Sequence, residues 1–279
     1  MKERIGQPVP ARDFNLRLTL ESGQIFHTMQ DEGWWQVLVG KHLLEVQQNN
    51  GPLLLACGDT RIAAEYFALD HPMRKIYASF PTDPYSTEAL NSCRGMRILR
   101  QPAWECLATF ITSSMKQVAH IRAMSLALRQ RHGEKVGGSL VNAYPAPGRI
   151  AGLCEDDLRA CGLGYRAKNL LATARRVADG TIDLDALRTA TTPDLRTQLM
   201  TLPGVGRKVA NCVILFAYGR LEAVPVDVWI ARIALAMRKR KGTPLALEEF
   251  ASRTFGPHAG YVQQYLFHHA RTTGKLPTR

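Results

Sequence analysis

The sequence predicts an α+β protein that is mostly α, with an N-terminal antiparallel β-sheet domain in residues 1–100 and an all-helical domain in residues 101–279. Two observations lead to this prediction. Near the N-terminus, apolar and polar residues alternate in short runs, which is the period of a half-buried strand. From residue 101 onward, apolar residues instead recur every three to four positions, which is the period of a helix.

The strand-like runs of the N-terminal part are separated by residues that favour turns. Alternation marks residues 14–20, 34–39 and 43–46, and Gly, Asn and Asp lie between these runs. Such residues allow neighbouring runs to fold back on each other as an antiparallel sheet. A helix is expected over residues 60–68, after the last of these turns.

The helical part begins at Pro102, which suits a helix start because its missing N–H is not needed there. Gly133 is a typical helix end, and a loop rich in Gly and Pro follows over residues 137–148. The expected helices are 103–111, 118–131, 150–158, 167–179, 193–200, 207–216, 228–238, 245–254 and 257–272.

Composition excludes several classes of protein. With 279 residues, of which 46% are hydrophobic, the chain can bury a sizeable core and is not expected to be disordered. Its apolar runs are too short to span a bilayer, and the N-terminus lacks the apolar stretch of a signal peptide. We therefore expect a cytoplasmic, monomeric protein without a membrane partner, and the absence of targeting segments favours a prokaryotic, nucleoid-associated one.

The charge balance indicates the kind of partner. Lys and Arg number 36 against 24 Asp and Glu, a net charge of +12. A protein this basic commonly binds a polyanion, and nucleic acid is the most frequent one. Because the basic residues are spread along the chain, they favour a folded basic face over a disordered arm. A generally basic enzyme is the alternative interpretation.

A glycine-rich segment between two expected helices is the strongest motif. It reads Leu-Pro-Gly-Val-Gly-Arg-Lys-Val-Ala from residue 202 to 210, with Val205 between Gly204 and Gly206. Glycines at this spacing allow a tight turn with positive φ and leave backbone N–H groups uncovered. At the positive end of a helix dipole, these groups can bind a phosphate of any nucleic-acid sequence. An ordinary helix connection with glycine caps is the alternative.

Two charged residues near this hairpin could carry chemistry. Lys208 stands in the first turn of the new helix, where the dipole disfavours its positive charge, and a neutral amine is a nucleophile. It could equally contact a phosphate. Asp227 is the single charged residue between residues 223 and 230. It could cap the next helix, or stabilise a positive charge that develops beside it, and the two roles are compatible.

Together these segments resemble the helix-hairpin-helix DNA glycosylases. The hairpin and the later Val-Pro-Val-Asp of residues 224–227 match that superfamily's motif, and Lys208 resembles the branch with both glycosylase and AP-lyase activity. Five further runs, in the same order along the chain, resemble the 8-oxoguanine DNA glycosylase/lyase family, with residues 22–26 similar to its N-terminal strand signature. These runs are 22–26, 99–107, 110–114, 163–167 and 259–267.

The resemblance implies a bifunctional enzyme that excises 8-oxoguanine from double-stranded DNA. Lys208 would attack C1′ of the damaged nucleotide and form a Schiff base, and Asp227 would stabilise the cationic sugar and help position or deprotonate the amine. The damaged nucleotide must leave the stack to be reached. Gly23 would accept the N7 hydrogen of 8-oxoguanine, Cys212 and Phe267 would sandwich the base, and Gln263 would read its Watson–Crick edge.

Contacts to the partner strand are where the sequence departs from the family pattern. Tyr165 would wedge into the stack and Arg166 would hydrogen-bond the orphaned base. Met115 and His120, however, stand where the family often has an Asn and an Arg that help read cytosine. Trp229 replaces a His that often supports a phosphate. The resemblance therefore implies relaxed selection of the base opposite the lesion.

Two other functions stay open on the sequence. A monofunctional alkyl-base glycosylase would use Asp227 to activate water, and would not need an amine at position 208. A non-catalytic DNA-binding protein would use the hairpin alone. The six cysteines do not form the close cluster of an iron–sulfur or zinc site, and none follows Cys212. No cofactor or metal is expected.

Overall fold

The computed structural model describes residues 4–49, 51–114, 117–238 and 242–277. Its N-terminal part contains a five-stranded antiparallel sheet. Its order is β1-β5-β4-β3-β2, so the first strand of the chain lies at an edge next to the last. The strands are β1 (Gln7–Pro10), β2 (Met29–Asp31), β3 (Trp34–Val39), β4 (His42–Gln47) and β5 (Leu53–Cys57).

The central strands β3 and β4 confirm the strands expected at residues 34–39 and 43–46, although three successive residues of β3 are buried. Val37 of β3 pairs with Leu44 of β4, and both side chains are buried on the same face. The sequence did not reveal β5, because all five of its residues are apolar or small and the alternation of buried and exposed positions is hidden. Nor did it reveal β1, which carries two prolines and is confined to an edge because proline cannot donate to a ladder.

One expected strand is wrong. Residues 16–21 form helix α1 (Leu16–Glu21), not a strand. The Asn15 side chain accepts a hydrogen bond from the Leu18 N–H, which caps the helix, and Leu16, Thr19 and Leu20 face the core at helical spacing. Residues 22–26, expected as a strand signature, form an irregular loop after this helix.

The expected helices appear in the expected order, but the sequence did not reveal two others, Met73–Ala78 and Pro84–Ser92, because the first is short and both lie in a stretch rich in Pro and Tyr. A correction concerns residues 150–158, which form two short helices, α7 and α8, separated by a break at Gly152. Helices α2 to α14 are Thr60–Tyr66, Met73–Ala78, Pro84–Ser92, Ala103–Thr112, Val118–His132, Pro147–Ala151, Glu155–Arg159, Arg166–Ala178, Thr192–Met200, Arg207–Phe216, Val228–Arg238, Pro244–Phe255 and Ala259–Thr273.

Buried apolar side chains form two clusters. The smaller one covers one face of the sheet with residues of α1 and α2, and the larger one lies among the later helices. The larger cluster also takes in Met73 and Ile76 of α3, and α14 packs against α4. The domain boundary near residue 100 stays a prediction. Among the described residues, no helix has both the length and the apolar character needed to cross a bilayer.

Candidate active site and DNA interface

The hairpin between α10 and α11 is an exposed turn whose middle residue packs into the core. Gly204 has φ +79°, and a Cβ there would lie 2.8 Å from Cβ of Asn169, so both conformation and space require glycine. Gly206 is different, because its φ of −86° is ordinary and it serves as the N-cap of α11. The Val205 side chain is buried between the two exposed glycines and holds the turn to the core.

This turn presents hydrogen-bond donors to solvent. The first N–H groups of a helix have no partners within that helix. Since Gly206 carries no side chain and is exposed, the N–H groups at the start of α11 are open to an approaching phosphate. The hairpin can therefore bind a nucleic-acid backbone without using the side chain of Lys208.

Lys208 lies in the first turn of α11 and is half-buried. Its ammonium is 5.3 Å from the centroid of the Phe110 ring, and Phe110 in turn stacks on Phe216 at 5.5 Å. One turn further along α11, burial raises the pKa of the Cys212 thiol, while the charge of Lys208 and its hydrogen bond to the sulfur oppose that rise. The amine thus lies against an aromatic wall with one polar neighbour on its own helix.

Asp227 immediately precedes α12 and is half-buried. Its Oδ1 accepts a hydrogen bond of 2.8 Å from the Ile230 N–H, so it caps the helix. Burial raises the pKa of this carboxyl, and the hydrogen bond from Ile230 and the nearby charge of Lys208 oppose that rise. Asp227 therefore caps α12 and also lies near Lys208, so the structure permits both of the roles that the sequence left open.

The expected base pocket is built from the loop after α1 and from one face of α14. Gly23 has φ +85°, and a Cβ there would lie 3.5 Å from the Phe267 ring and 3.6 Å from Val118. Gln263 lies one turn before Phe267 and is only 4% exposed. Within the described part of the chain, its Oε1 accepts no hydrogen bond. A buried acceptor without a partner costs free energy, and a donor that reaches this oxygen would relieve that cost.

The residues expected at the partner strand are placed unequally. Tyr165 is 60% exposed at the start of α9, and His120 is exposed in the first turn of α6. Arg166 is 5% exposed, with its guanidinium 4.3 Å from the Tyr165 ring and its Nε and Nη2 donating to the Ser114 carbonyl. Arg166 must leave this carbonyl to contact a base. Met115 lies outside the described residues.

Comparison with known proteins decides between the functions that this geometry permits. Residues 7–107 match the family model described as 8-oxoguanine DNA glycosylase, N-terminal domain. The chain is 31% identical to a protein of Methanothermobacter thermautotrophicus named "Probable N-glycosylase/DNA lyase", and the alignment covers 96% of this chain and 97% of that protein. The chain belongs to the 8-oxoguanine DNA glycosylase/lyase family. This family membership makes it a DNA N-glycosylase and DNA lyase by enzyme class.

Other family members agree with this glycosylase/lyase in sequence and in shape. The Arabidopsis thaliana protein "N-glycosylase/DNA lyase OGG1" is 30% identical, with 91% of this chain and 77% of that protein covered. The structure of MBOgg1 with a low-affinity DNA ligand is 33% identical, has a TM-score of 0.91, and covers 99% of this chain and 98% of that one. The Clostridium acetobutylicum 8-oxoguanine glycosylase/lyase with double-stranded DNA has a TM-score of 0.88 at 25% identity, covering 98% and 100%.

Several residues that lie beside Lys208 in the structure were not found from the sequence. Phe110 lies beside Lys208, and Phe26 meets Phe110 edge-on at 6.3 Å. Both look like ordinary core residues, because an apolar residue at helical spacing gives no sign of a site. Asn211 offered a weak signal, as an amide inside the apolar run of α11.

Proposed function

We propose that this enzyme excises 8-oxoguanine from duplex DNA by base flipping and cleaves the resulting site through a Schiff base on Lys208. The observation that carries this proposal is the position of Lys208. Its amine lies against Phe110 in the first turn of the hairpin helix, close enough to Asp227 for its charge to oppose the rise in that carboxyl's pKa.

The proposed chemistry divides between these two residues. The ammonium of Lys208 passes one proton to the departing base, and the free amine attacks C1′ as the bond from C1′ to the base breaks and its electron pair leaves with the base. Asp227 stabilises the cationic sugar that develops, and its partial burial strengthens this effect because the local dielectric is low. The nitrogen loses a proton, and the C1′–O4′ bond opens with its electron pair going to O4′, which takes up a proton, so that C1′ and the nitrogen form the Schiff base. Removal of a C2′ proton then expels the 3′ phosphate.

The proposed lesion recognition uses the pocket between the loop after α1 and α14. The Gly23 carbonyl would accept the N7 hydrogen that 8-oxoguanine has and guanine lacks. Phe267, which is in contact distance of position 23, would stack on the base opposite Cys212. The unpaired Oε1 of Gln263 supports its proposed role, because the Watson–Crick edge of a purine offers N–H donors.

The proposed DNA contacts place each strand against a different part of the surface. The hairpin of Gly204, Val205 and Gly206 would hold a phosphate near the lesion. Tyr165 is exposed enough to fill the gap that the flipped nucleotide leaves. Arg166 would exchange the Ser114 carbonyl for the orphaned base. We further propose that the enzyme acts as a monomer on chromosomal DNA, with its two domains meeting near residue 100.

Borohydride trapping tests the proposed reaction directly. The protein is incubated with a duplex containing one 8-oxoguanine, or the same duplex with guanine, in the presence of the reductant. A covalent adduct is expected with the damaged duplex alone. Excision without an adduct would favour the monofunctional glycosylase, and binding without excision would favour the DNA-binding protein.

Affinity for duplex DNA is expected to fall steeply with salt. Each phosphate that the basic face neutralises releases counterions, so log affinity should fall against log salt with a slope of about −0.9 per contact. Fluorescence anisotropy of a labelled duplex at several salt concentrations measures this slope. A flat response would contradict the assignment of the +12 charge to DNA binding.

Selection of the base opposite the lesion is expected to be relaxed. Met115 has no donor, and His120 is shorter than Arg and lacks its fixed fork of donors. Losing two of three base contacts should remove on the order of 2–4 kcal/mol of discrimination. Single-turnover excision from four duplexes that differ only in the opposite base measures the effect. A preference for cytosine of about a hundredfold or more over every other base would contradict it, since 1.4 kcal/mol is tenfold.

A further inference from the structure

A buried hydrogen-bond network joins the helix of Lys208 to the loop that carries Asp227. Asn211 lies on α11, three residues after Lys208, and is 0% exposed. Its Nδ2 donates to the carbonyl oxygen of Val224 at 3.0 Å. Its Oδ1 accepts from Nε of Arg196 on α10 at 2.8 Å. Both ends of one amide are therefore satisfied by groups from two different elements.

The network continues to α13 and returns to the first turn of α11. The buried Glu248 on α13 accepts two hydrogen bonds from Arg207, at 2.6 Å from Nε and 3.1 Å from Nη2. Oε1 of Glu248 also forms an ion pair with Nη2 of Arg196, at 4.0 Å. Since Arg207 directly precedes Lys208, this ion pair fixes the backbone from which the amine projects.

The loop before Asp227 is held at a second point as well. The N–H of Gly260 on α14 donates to the carbonyl of Leu221 at 2.7 Å. A Cβ at Gly260 would lie 3.0 Å from that carbonyl oxygen, so α14 approaches the loop as closely as its backbone permits. The bond from Asn211 then fixes Val224, which leaves only two residues between the last anchor and Asp227.

We propose that Asn211 is a positioning residue, which sets the Asp227 carboxylate against the Lys208 amine, and that Arg196 and Glu248 hold Asn211 in place. This inference rests on the proposed roles of Lys208 and Asp227. A leucine would fill the same space in an apolar helix, whereas a buried amide needs every hydrogen bond satisfied. The bond from Asn211 to Val224 joins α11, which carries Lys208, to the loop that carries Asp227, and the bond from Arg196 on α10 holds the amide in place.

Asn211→Ala is expected to slow excision without weakening DNA binding. A displacement of about 1 Å in a reacting group can cost about 100-fold in rate, so single-turnover excision should fall roughly 10- to 100-fold. The dissociation constant for a duplex with a tetrahydrofuran abasic analogue should stay within about threefold, because backbone N–H groups of the hairpin supply that binding.

The pH profile separates positioning from general destabilisation. Burial raises the pKa of Asp227, and a loosened loop admits water, so the acid limb of the excision rate should move to lower pH in Asn211→Ala. The matched control is Asn142→Ala. Asn142 lies in the loop after α6, and its side chain donates to the carbonyl of Arg129 on that helix. Its rate per folded enzyme and its pH profile should match those of the wild type.

Glu248→Gln provides a second variant should Asn211→Ala fail to fold. It keeps the shape of the side chain and its acceptor oxygen but removes the charge that holds Arg196 and Arg207, so a smaller fall in rate with the same unchanged binding is expected. The positioning role would be overturned if folded Asn211→Ala, or Glu248→Gln in its place, excised the base at the wild-type rate. A loss of rate that is matched by an equal loss of abasic-site binding would also overturn it. Failure of the wild type to form the borohydride adduct would instead overturn the proposed function.

Discussion

Lys208→Gln is expected to abolish the borohydride-trapped adduct and strand cleavage. Glutamine is shorter by one atom but keeps a polar, uncharged end without a nucleophilic amine, so no Schiff base can form. Base excision in single turnover should fall at least about a thousandfold, the scale seen when an enzyme loses its nucleophile. Trapping is measured by a shift of the labelled duplex on a denaturing gel, and excision by cleavage of the released site.

Binding of the duplex should survive this substitution. The N–H groups at the start of α11, rather than the lysine side chain, are placed to hold the phosphate, so the dissociation constant should change less than about threefold. Lys75→Gln, at an exposed position on α3, is the control for loss of one positive charge. A trapped adduct in the Lys208 variant would identify another amine as the nucleophile, and a complete loss of binding would make Lys208 a phosphate contact.

Asp227→Asn is expected to separate catalysis from helix capping. Asn is as good an N-cap as Asp, so the hydrogen bond from Ile230 should persist and the fold should keep its stability. Excision should nevertheless fall about 100-fold or more, because the negative charge beside the cationic sugar is lost. Single-turnover rates and thermal unfolding of the two proteins measure both effects.

The pH dependence gives the same assignment by a second route. Burial raises the pKa of Asp227 above that of an exposed carboxyl, so wild-type activity should already decline on the acid side at a pH above the ordinary carboxyl range. Because the folded protein binds this proton more tightly than the unfolded chain, ionised Asp227 lowers stability as pH rises through that window. Asp227→Asn should therefore be at least as stable as the wild type at neutral pH, and lose that advantage in acid.

Asp227→Ala is the comparison that tests the cap itself. Removing an N-cap side chain costs about 1 kcal/mol, so this variant should unfold at lower temperature than Asp227→Asn. Excision at the wild-type rate in Asp227→Asn would leave the residue a cap without a catalytic role. A fall in stability equal to that of Asp227→Ala would show that Asn does not replace the cap.

Local signals explain why so much of the helical part could be predicted. Prolines and glycines mark several helix boundaries, and an apolar stripe marks the helices between them. The hairpin was predictable for the same reason. Gly204 adopts a positive φ that other residues rarely tolerate, so this requirement is visible in the sequence as a glycine. Lys208 drew attention because the helix dipole disfavours a lysine in a first turn, and Asp227 because it is the single charged residue between residues 223 and 230. Their roles stay predictions.

Contacts between distant residues explain what the sequence left out. The alternation in residues 14–20 suits a strand as well as a helix, and the Asn15 cap together with packing against the sheet decided for the helix. β5 forms because its partners β1 and β4 lie on either side of it. Its own residues show no alternation of apolar and polar types, since a run of apolar and small residues is alike on both faces of the strand.

The sequence by itself determined the class of fold, through the change from strand to helix periodicity along the chain, and it determined the helical hairpin, through the spacing of its glycines within one short segment. It also singled out Lys208 and Asp227 as candidate reacting residues. Only the tertiary structure decided how these residues are held. Three contacts each join two different elements of the fold. They are Phe110 with Lys208, Arg166 with the Ser114 carbonyl, and Asn211 with the Val224 carbonyl. Such contacts depend on where whole elements pack, and burial of apolar surface, rather than any local pattern, sets that arrangement.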